Sequence, residues 1–267
     1  MSKMDEALYE LREMDDLAAA DSPIHRLHPL AKLLATVVYI VAVASFDKYA
    51  LSGALTMVLY PALLFQLSGV PVRTCFYKLR IVLPLVMAVG LFNPLFDKAP
   101  LLALGGVAVS GGVVSMLTLM LKGVLCLTAS FLLIATTSID ALCAALRMLH
   151  VPGMLVTLLL LTYRYVGVMT EELAVMTDAY RLRAPGQKGI HYSAWGSFLG
   201  QLLLRSADRA EELYASMRLR GFHGEFHYAG ARAFAAGDAL YAAACAGICA
   251  LFSFVDVAGL LGGALVR

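Results

Sequence analysis

The sequence predicts an all-α integral membrane protein with about five transmembrane helices and a further cytoplasmic or interfacial helical region. Apolar residues make up 60% of the 267-residue chain and charged residues only 15%, whereas a soluble domain normally carries about 25% charged residues. Long apolar runs recur along the chain, and a helix needs roughly 20 apolar residues to cross a bilayer. These runs occupy about 30–46, 50–68, 81–96, 111–137 and 237–262.

The residues around these runs fit helices that end at membrane surfaces. Lys32, Asp47 and Lys48 flank the first run, where long charged side chains can reach the interface. Between the third and fourth runs, 100–112 is rich in Gly with alternating Leu, Val and Ser, which predicts an irregular loop or a short hairpin. The polar and acidic residues 1–27 do not have the pattern of a cleavable signal peptide.

A sixth apolar stretch, Met154–Tyr163, decides the predicted topology. It has about ten residues before Arg164, a length more typical of an interfacial or buried segment than of a span. Ten of the 21 Lys and Arg residues lie between Arg147 and Arg232, on both sides of this stretch. Because basic loops stay cytoplasmic, we expect the whole of 138–236 to remain on that side, although a six-span version is the alternative.

The remaining loops set the orientation of the chain. Basic residues gather in the N-terminal segment and between the second and third runs, so the N-terminus is predicted to be cytoplasmic and the C-terminus external. The predicted organisation is a cytoplasmic segment 1–29, four transmembrane helices within 30–137, a cytoplasmic helical region 138–236 and a final transmembrane helix within 237–267. The basic residues that set this orientation are Lys3, Arg12, Arg26, Arg73, Lys78 and Arg80.

A short basic phrase occurs twice within the cytoplasmic region. Ala179–Ala184 reads AYRLRA and Ser216–Gly221 reads SMRLRG, each at the end of a helical pattern. A helix predicted from Pro152 ends before the breaker 184–189, and a second helix is predicted to begin near Ser193 as its N-cap and to end at Gly221. Two near-identical ends on adjacent helices favour two equivalent partner surfaces.

The basic residues of these phrases have two explanations. Cations at a helix C-terminus complement the helix dipole, which contributes about 0.3–1 kcal/mol and needs no partner. Arginine also presents a planar five-donor fork that suits interfaces, and repetition of the phrase favours this second explanation.

These phrases and four other segments resemble the transmembrane T component of energy-coupling factor (ECF) transporters, and within that group the cobalt-type CbiQ family. The resemblance covers nearly the whole chain. Ser22–Leu34 resembles the entry to the first span, and the two basic phrases resemble the paired Ala-Arg-Gly-type motifs of the family. The other matching segments are Thr136–Ser138, His150–Pro152 and Leu160–Tyr165.

The chain departs from the family pattern at a few positions. Ala184 stands where the pattern favours Gly, and both copies have Leu, at Leu182 and Leu219, before the central Arg. His28 stands where Asp is usual. Arg183 and Arg220 match the pattern.

The resemblance implies a non-catalytic scaffold that transmits movement between partner subunits. The two phrases are expected to insert into grooves on two ABC-type ATPase subunits. The apolar face of Met154–Tyr163 is expected to hold a membrane-embedded substrate-capture subunit. No cofactor is expected on this chain, because ATP and Mg would be bound by the ATPases. The expected ATPase-coupling residues are Arg181, Leu182, Arg183, Ala184, Arg218, Leu219, Arg220 and Gly221, and the expected capture-subunit residues are Leu158, Leu159, Leu161 and Tyr163.

The expected substrate is a cobalt or nickel ion, and the expected location is the cell (inner) membrane of a bacterium or archaeon. A shared scaffold for vitamin-capture subunits and a stand-alone secondary carrier are the alternatives. The sequence contains no GxxxxGK[ST] phosphate-binding loop, which agrees with ATP being bound by a partner. The lipid bilayer is the remaining expected partner, and no nucleic acid is expected.

Two histidines and one lysine outside these phrases have side chains that could form a site. His223 and His227 have a spacing that can bind metal on a helix, but Gly221 and Gly224 argue against a helix there, and no metal site is predicted. Lys122 lies inside the fourth apolar run, where an ionisable side chain is costly. We expect it to interact with a polar group on a neighbouring span or to reach the outer surface.

Overall fold

The computed structural model describes residues 3–48, 50–80, 82–96, 100–104, 107–187, 189–224 and 234–254. These residues form an α-helical protein with one small antiparallel hairpin, which confirms the predicted fold class. The elements are α1 (Lys3–Ala18), α2 (Pro29–Ser45), α3 (Leu51–Thr56), α4 (Leu59–Ser68), α5 (Val72–Leu79), α6 (Leu83–Phe96), β1 (Pro100–Leu104), β2 (Val107–Ser110), α7 (Gly111–Thr136), α8 (Ile139–Met148), α9 (Gly153–Arg183), α10 (Trp195–Leu219) and α11 (Ala236–Phe254).

The helices group into two compact units. The first, called here the α9–α10 unit, contains Met1–Asp16 and Ile139–Ala231. The second, called here the α2–α7 unit, contains Leu17–Ser138 and Arg232–Arg267. Whether each unit lies in the membrane or in the cytoplasm stays a prediction.

The core of the α2–α7 unit lies where α2 meets α7 and α11. Tyr39 and Val43 of α2 are fully buried there, together with Met57, Leu125 and Cys249. The Tyr39 hydroxyl donates a hydrogen bond of 2.9 Å to the Met57 carbonyl. A buried hydroxyl with a partner avoids the cost of an unpaired polar group in an apolar interior.

The start of α2 is held by two side chains. Pro29 occupies the first turn, where its missing N–H costs nothing, and the His28 Nδ1 accepts a hydrogen bond of 3.1 Å from the Leu30 N–H. Asp238 at the start of α11 is 2% exposed and accepts from the His28 N–H at 2.9 Å and from the Ala235 N–H at 3.0 Å. His28 therefore caps the helix from the position at which the family pattern has Asp.

Two lysines tie helix ends together within this unit. The Lys32 Nζ is buried and donates to the Thr136 carbonyl at 2.6 Å, in the last turn of α7, where a cation complements the helix dipole. The Lys122 Nζ donates to the Ala44 carbonyl at 3.3 Å and to the Phe46 carbonyl, at the end of α2. The expected interaction of Lys122 with a neighbouring apolar helix is confirmed.

The predicted number of five spans is not confirmed. Among the described residues, three segments are long and apolar enough to cross a membrane, namely Leu51–Ser68, Gly111–Thr136 and Gly153–Arg183. A fourth is added if Val72–Leu79 and Leu83–Leu91, which are bent by 56°, count as one span. Pro29–Ser45 is an apolar helix of 17 residues, at the lower limit for a span.

Helix α9 is a candidate span that the predicted topology did not include. The helix predicted from Pro152 to the breaker at 184 is confirmed, because α9 continues without a break for 31 residues, Gly153–Arg183. The prediction that it does not cross the membrane considered only its first apolar residues, Met154–Tyr163. Its length is about 46 Å at 1.5 Å per residue, so length alone does not restrict it to an interface.

Two local predictions are resolved by the backbone. The segment between the third and fourth runs is a hairpin in which β1 and β2 pair antiparallel, as one of the two predicted alternatives. The basic residues Arg73 and Lys78, predicted in a loop, instead lie on the short helix α5. This helix is amphipathic, a pattern that a search for long apolar runs overlooks.

Candidate functional site

The first basic phrase lies at the end of α9. The helix ends at Arg183, and the Ala184 N–H still donates to the Tyr180 carbonyl at 3.0 Å. Ala184 has φ −126°, a conformation open to any L-residue, and the left-handed turn falls two residues later at Gly186, with φ +90°. The departure from Gly at position 184 therefore causes no backbone strain.

The second phrase ends α10 in a Schellman motif. Gly221 has φ +81°, its N–H donates to the Arg218 carbonyl at 3.0 Å, and the Phe222 N–H donates to the Met217 carbonyl at 3.0 Å. The predicted C-cap role of Gly221 is confirmed. The two phrases thus end their helices by different backbone geometries, although their sequences match.

The central leucines of both phrases project into solvent. Leu182 is 84% exposed and Leu219 is 90% exposed. A single exposed leucine is ordinary on a protein surface, but two at equivalent positions of a repeated phrase form two matching apolar tips. Such tips are suited to insertion into a groove of another protein.

The arginines of each phrase divide into one that has a local partner and one that has none. The Arg181 guanidinium pairs with Asp178 at 3.3 Å, and that of Arg218 lies 6.0 Å from the centre of the Tyr214 ring. The side chains of Arg183 and Arg220 make no hydrogen bond or ion pair with any other described residue. The unpartnered arginine is the second one in both copies.

Side-chain bonds order the connection between α9 and α10. The Tyr180 hydroxyl donates to the Gln187 Oε1 at 3.0 Å and accepts from the His191 N–H at 3.2 Å, which ties the connection to the last turn of α9. Arg205 of α10 forms an ion pair with Glu172 of α9. The two phrases are therefore joined by a bonded connection within one unit.

The start of α10 corrects one prediction. Ser193 is not the N-cap, because a single 3₁₀ turn, Tyr192–Ala194, precedes α10. The His191 Nδ1 accepts from the Ser193 N–H at 3.4 Å, so the imidazole takes the capping role.

A polar groove of about 350 Å³ lies between α9 and α10. Arg164 and Tyr165 line it from α9, and residues spaced three or four apart line it from α10, as expected for one helix face. The α10 residues are Arg209, Glu212, Leu213, Ser216, Met217 and Arg220.

The apolar face predicted to hold a capture subunit lies on the first half of α9. Leu158 is 61% exposed, Leu159 is also exposed, and Leu161 is partly buried. The Tyr163 hydroxyl donates to the Asp15 carboxylate of α1 at 2.7 Å. Three of these residues thus remain available on the surface, whereas the tip of Tyr163 is held by the N-terminal helix.

The described residues include no group of three or more His, Cys, Asp or Glu side chains placed to hold a metal ion. His223 follows the cap of α10 outside any helix, and His227 lies outside the described residues.

Sequence reasoning overlooked several residues that shape this region. Arg164 and Arg209 were treated only as basic residues that set the topology, and Tyr180 only as part of the repeated phrase. The sequence shows that these residues have neighbours at i+3 and i+4 on amphipathic helices. It does not show that residues of two different helices meet in one groove.

Comparison with known proteins gives an independent view of this chain. The family model CbiQ, described as cobalt transport protein, matches residues 20–228. The nickel permease LarQ of Lactiplantibacillus plantarum is 34% identical over 91 residues, which cover 34% of this chain and 33% of that protein. The cobalt transport protein CbiQ of Rhodobacter capsulatus is 36% identical over 96 residues, 35% of this chain and 38% of that protein.

A third relative is an uncharacterized protein of Methanocaldococcus jannaschii, 25% identical over 120 residues, which cover 44% of this chain and 41% of the relative. The aligned regions therefore span well under half of each relative's length.

Proposed function

The chain belongs to the cobalt transport protein family CbiQ, and we propose on that premise that it is the energy-coupling transmembrane scaffold of an ECF-type ABC importer for cobalt or nickel ions. In this role it binds two ABC-type ATPase subunits and a membrane-embedded substrate-capture subunit. The relatives named as a nickel permease and a cobalt transport protein favour a transition-metal ion over a vitamin as the substrate.

The observation that carries this proposal is the pair of matching helix ends. Each presents an exposed leucine, Leu182 or Leu219, followed by an arginine without a partner among the described residues, Arg183 or Arg220. Dipole complementation accounts for a basic residue at one helix end, but it does not require an exposed leucine beside it twice. Leucine tips give apolar contact area, and the arginines supply planar donors for carboxylates or carbonyl oxygens of the ATPases.

The helices between these ends and the membrane suit mechanical transmission. Helix α9 runs unbroken from its exposed apolar half to the first phrase, and helix α10 runs for 25 residues to the second. Rigid secondary elements such as a continuous helix can carry coupling between distant sites. The Arg205–Glu172 pair and the Tyr180 bonds couple the two helices, so movement of one ATPase-bound end is passed to the other.

The proposed division of labour places ATP and Mg on the ATPases and the transported ion on the capture subunit. This chain then contributes no catalytic residue and no cofactor of its own. The exposed Leu158 and Leu159, together with Leu161 and Tyr163, form the proposed surface for the capture subunit. The protein resides in the cell membrane of a bacterium or archaeon, with its N-terminus and both basic phrases cytoplasmic.

Replacement of the unpartnered arginines tests this function. The full chain is expressed with its ATPase and capture subunits, and accumulation of radioactive cobalt or nickel is measured together with co-purification of the ATPases. Arg183→Ala and Arg220→Ala are each expected to weaken ATPase association, and the double variant to abolish uptake.

The matched control is Arg73→Ala with Arg80→Ala, which also removes two basic residues from a predicted cytoplasmic segment. Full uptake by the double Arg183/Arg220 variant, or an equal loss in the control, would reject the docking assignment.

A further inference from the structure

We propose that the groove between α9 and α10 binds the phosphate headgroup of an anionic phospholipid. Such a lipid would act as a structural ligand between the two helices, distinct from the transported ion, and it would share Arg220 with the second basic phrase. The groove is lined from α9 by Arg164 and from α10 by Arg209 and Arg220, and its volume of about 350 Å³ is within the range of small-ligand sites.

The balance of charge in the groove calls for an anion. Three arginines face one glutamate there, which leaves two positive charges in excess. Glu212 pairs with Arg209 at 3.9 Å, the outer limit of an ion pair, whereas the Arg164 and Arg220 side chains have no hydrogen-bond or ion-pair partner among the described residues. Like charges that line one groove repel each other, and a bound anion removes that cost.

The chemistry of the groove fits a phosphodiester with an attached polar headgroup. Guanidinium groups donate in a planar fork that matches phosphate oxygens, and two helices together supply three such groups. Tyr165 of α9 and Ser216 of α10 add hydroxyl groups to the lining, suited to the hydroxyls of a glycerol headgroup. Leu213 and Met217 give the groove apolar side walls beside these polar groups.

The position of Arg164 along α9 favours a lipid over a soluble anion. It lies five residues beyond Leu159, about 7.5 Å along the helix, and apart from Thr162 the exposed side chains of α9 before it are apolar. Those side chains are Met154, Leu155, Leu158 and Leu159. Arginine directly beyond an exposed apolar helical surface is placed at the depth of phospholipid headgroups, where basic pockets between helices bind anionic lipids.

A headgroup bound in the groove would contact side chains of both α9 and α10 and so hold the two helices together there. The ordering of α10 near its second phrase would then depend on the lipid composition of the membrane. Retention of the lipid does not require the proposed transport function, so the two can fail separately.

The test uses the purified full chain in a neutral detergent and native mass spectrometry with added phosphatidylglycerol or phosphatidylcholine. Phosphatidylglycerol is expected to be retained about tenfold more than zwitterionic phosphatidylcholine. Arg164→Gln is expected to lower its retention about fivefold, because each basic residue near an anionic headgroup contributes about that factor. Arg164→Lys, which keeps the charge, should keep at least half of the retention.

Arg218→Gln is the matched control, since it also removes one arginine of α10 but lies outside the groove lining, over the Tyr214 ring of its own helix. It is expected to retain phosphatidylglycerol as the unchanged protein does. Equal retention by the Arg164→Gln variant, or an equal loss in the control, would overturn the assignment to the groove. Inorganic phosphate at millimolar concentration that displaces the lipid completely would identify a soluble anion as the occupant and overturn the lipid assignment.

Discussion

Replacement of Gly221 by Ala tests whether the Schellman motif fixes the second basic phrase. Gly221 has φ +81°, and a Cβ built there meets no atom within 4 Å. The substitution therefore adds no steric clash, and its whole effect comes from the backbone conformation. This separation of conformational strain from packing makes the position informative.

The size of the expected effect follows from the backbone strain of alanine at position 221 and from the free energy of the two hydrogen bonds that close the helix end. A non-glycine residue in the left-handed region costs about 1–2 kcal/mol. The Gly221 N–H and Phe222 N–H bonds, each 3.0 Å long, contribute about 0.5–1.5 kcal/mol each. The strain thus offsets most of the bonding, and the population with an open helix end should rise about 5- to 30-fold.

Amide hydrogen exchange of peptides covering residues 217–222 measures this population. Gly221→Ala should accelerate exchange by that factor, whereas Gly221→Asn, which tolerates the left-handed region, should have a much smaller effect. Ala184→Gly at the end of α9 should cause no acceleration, since φ at Ala184 is −126°. Unchanged exchange in Gly221→Ala, or equal acceleration by Ala and Asn, would refute the reasoning.

Two further predictions concern other parts of the chain. Asp238→Ala leaves the His28 and Ala235 N–H groups without their acceptor, so it should lower the free energy of unfolding in detergent by about 1–3 kcal/mol for each N–H. Asp238→Asn should lose about half as much. Equal stability of all three proteins would show that the carboxylate does not hold these helix starts. A cysteine in place of the exposed Gln187 should react with a membrane-impermeant maleimide only after the cells are opened; labelling of intact cells would contradict the predicted topology.

The pattern of apolar runs predicted most helix positions, because burial in lipid requires long apolar segments whatever the tertiary contacts. The runs at 30–46 and 111–137 correspond closely to α2 and α7. The end of α10 was also predictable, since the glycine required by a left-handed C-cap is a local signal. Arg183 and Arg220 were selected from the repeated phrase, and their role as docking residues stays a prediction.

Features that depend on distant contacts or on side-chain geometry were not predictable. Asp238 accepts from the His28 N–H across 210 residues of sequence, and nothing near either residue indicates the other. His28 and His191 cap through Nδ1, a role that depends on side-chain geometry rather than on residue type. The extent of α9 was predicted, but its capacity to span was not, because Arg164 was taken as the end of the apolar segment although long basic side chains can extend to an interface.

Site-specific photocrosslinking from the two exposed leucines is the most direct test of the central claim that both phrases dock on ATPases. A photoreactive amino acid is placed at Leu182, at Leu219 or, as a control, at Leu240, which is also exposed but belongs to the α2–α7 unit. We predict that the first two positions each crosslink to an ATPase subunit in the assembled complex and that the third does not. Absence of ATPase crosslinks from both Leu182 and Leu219, in a complex that still contains the ATPases, would contradict the account.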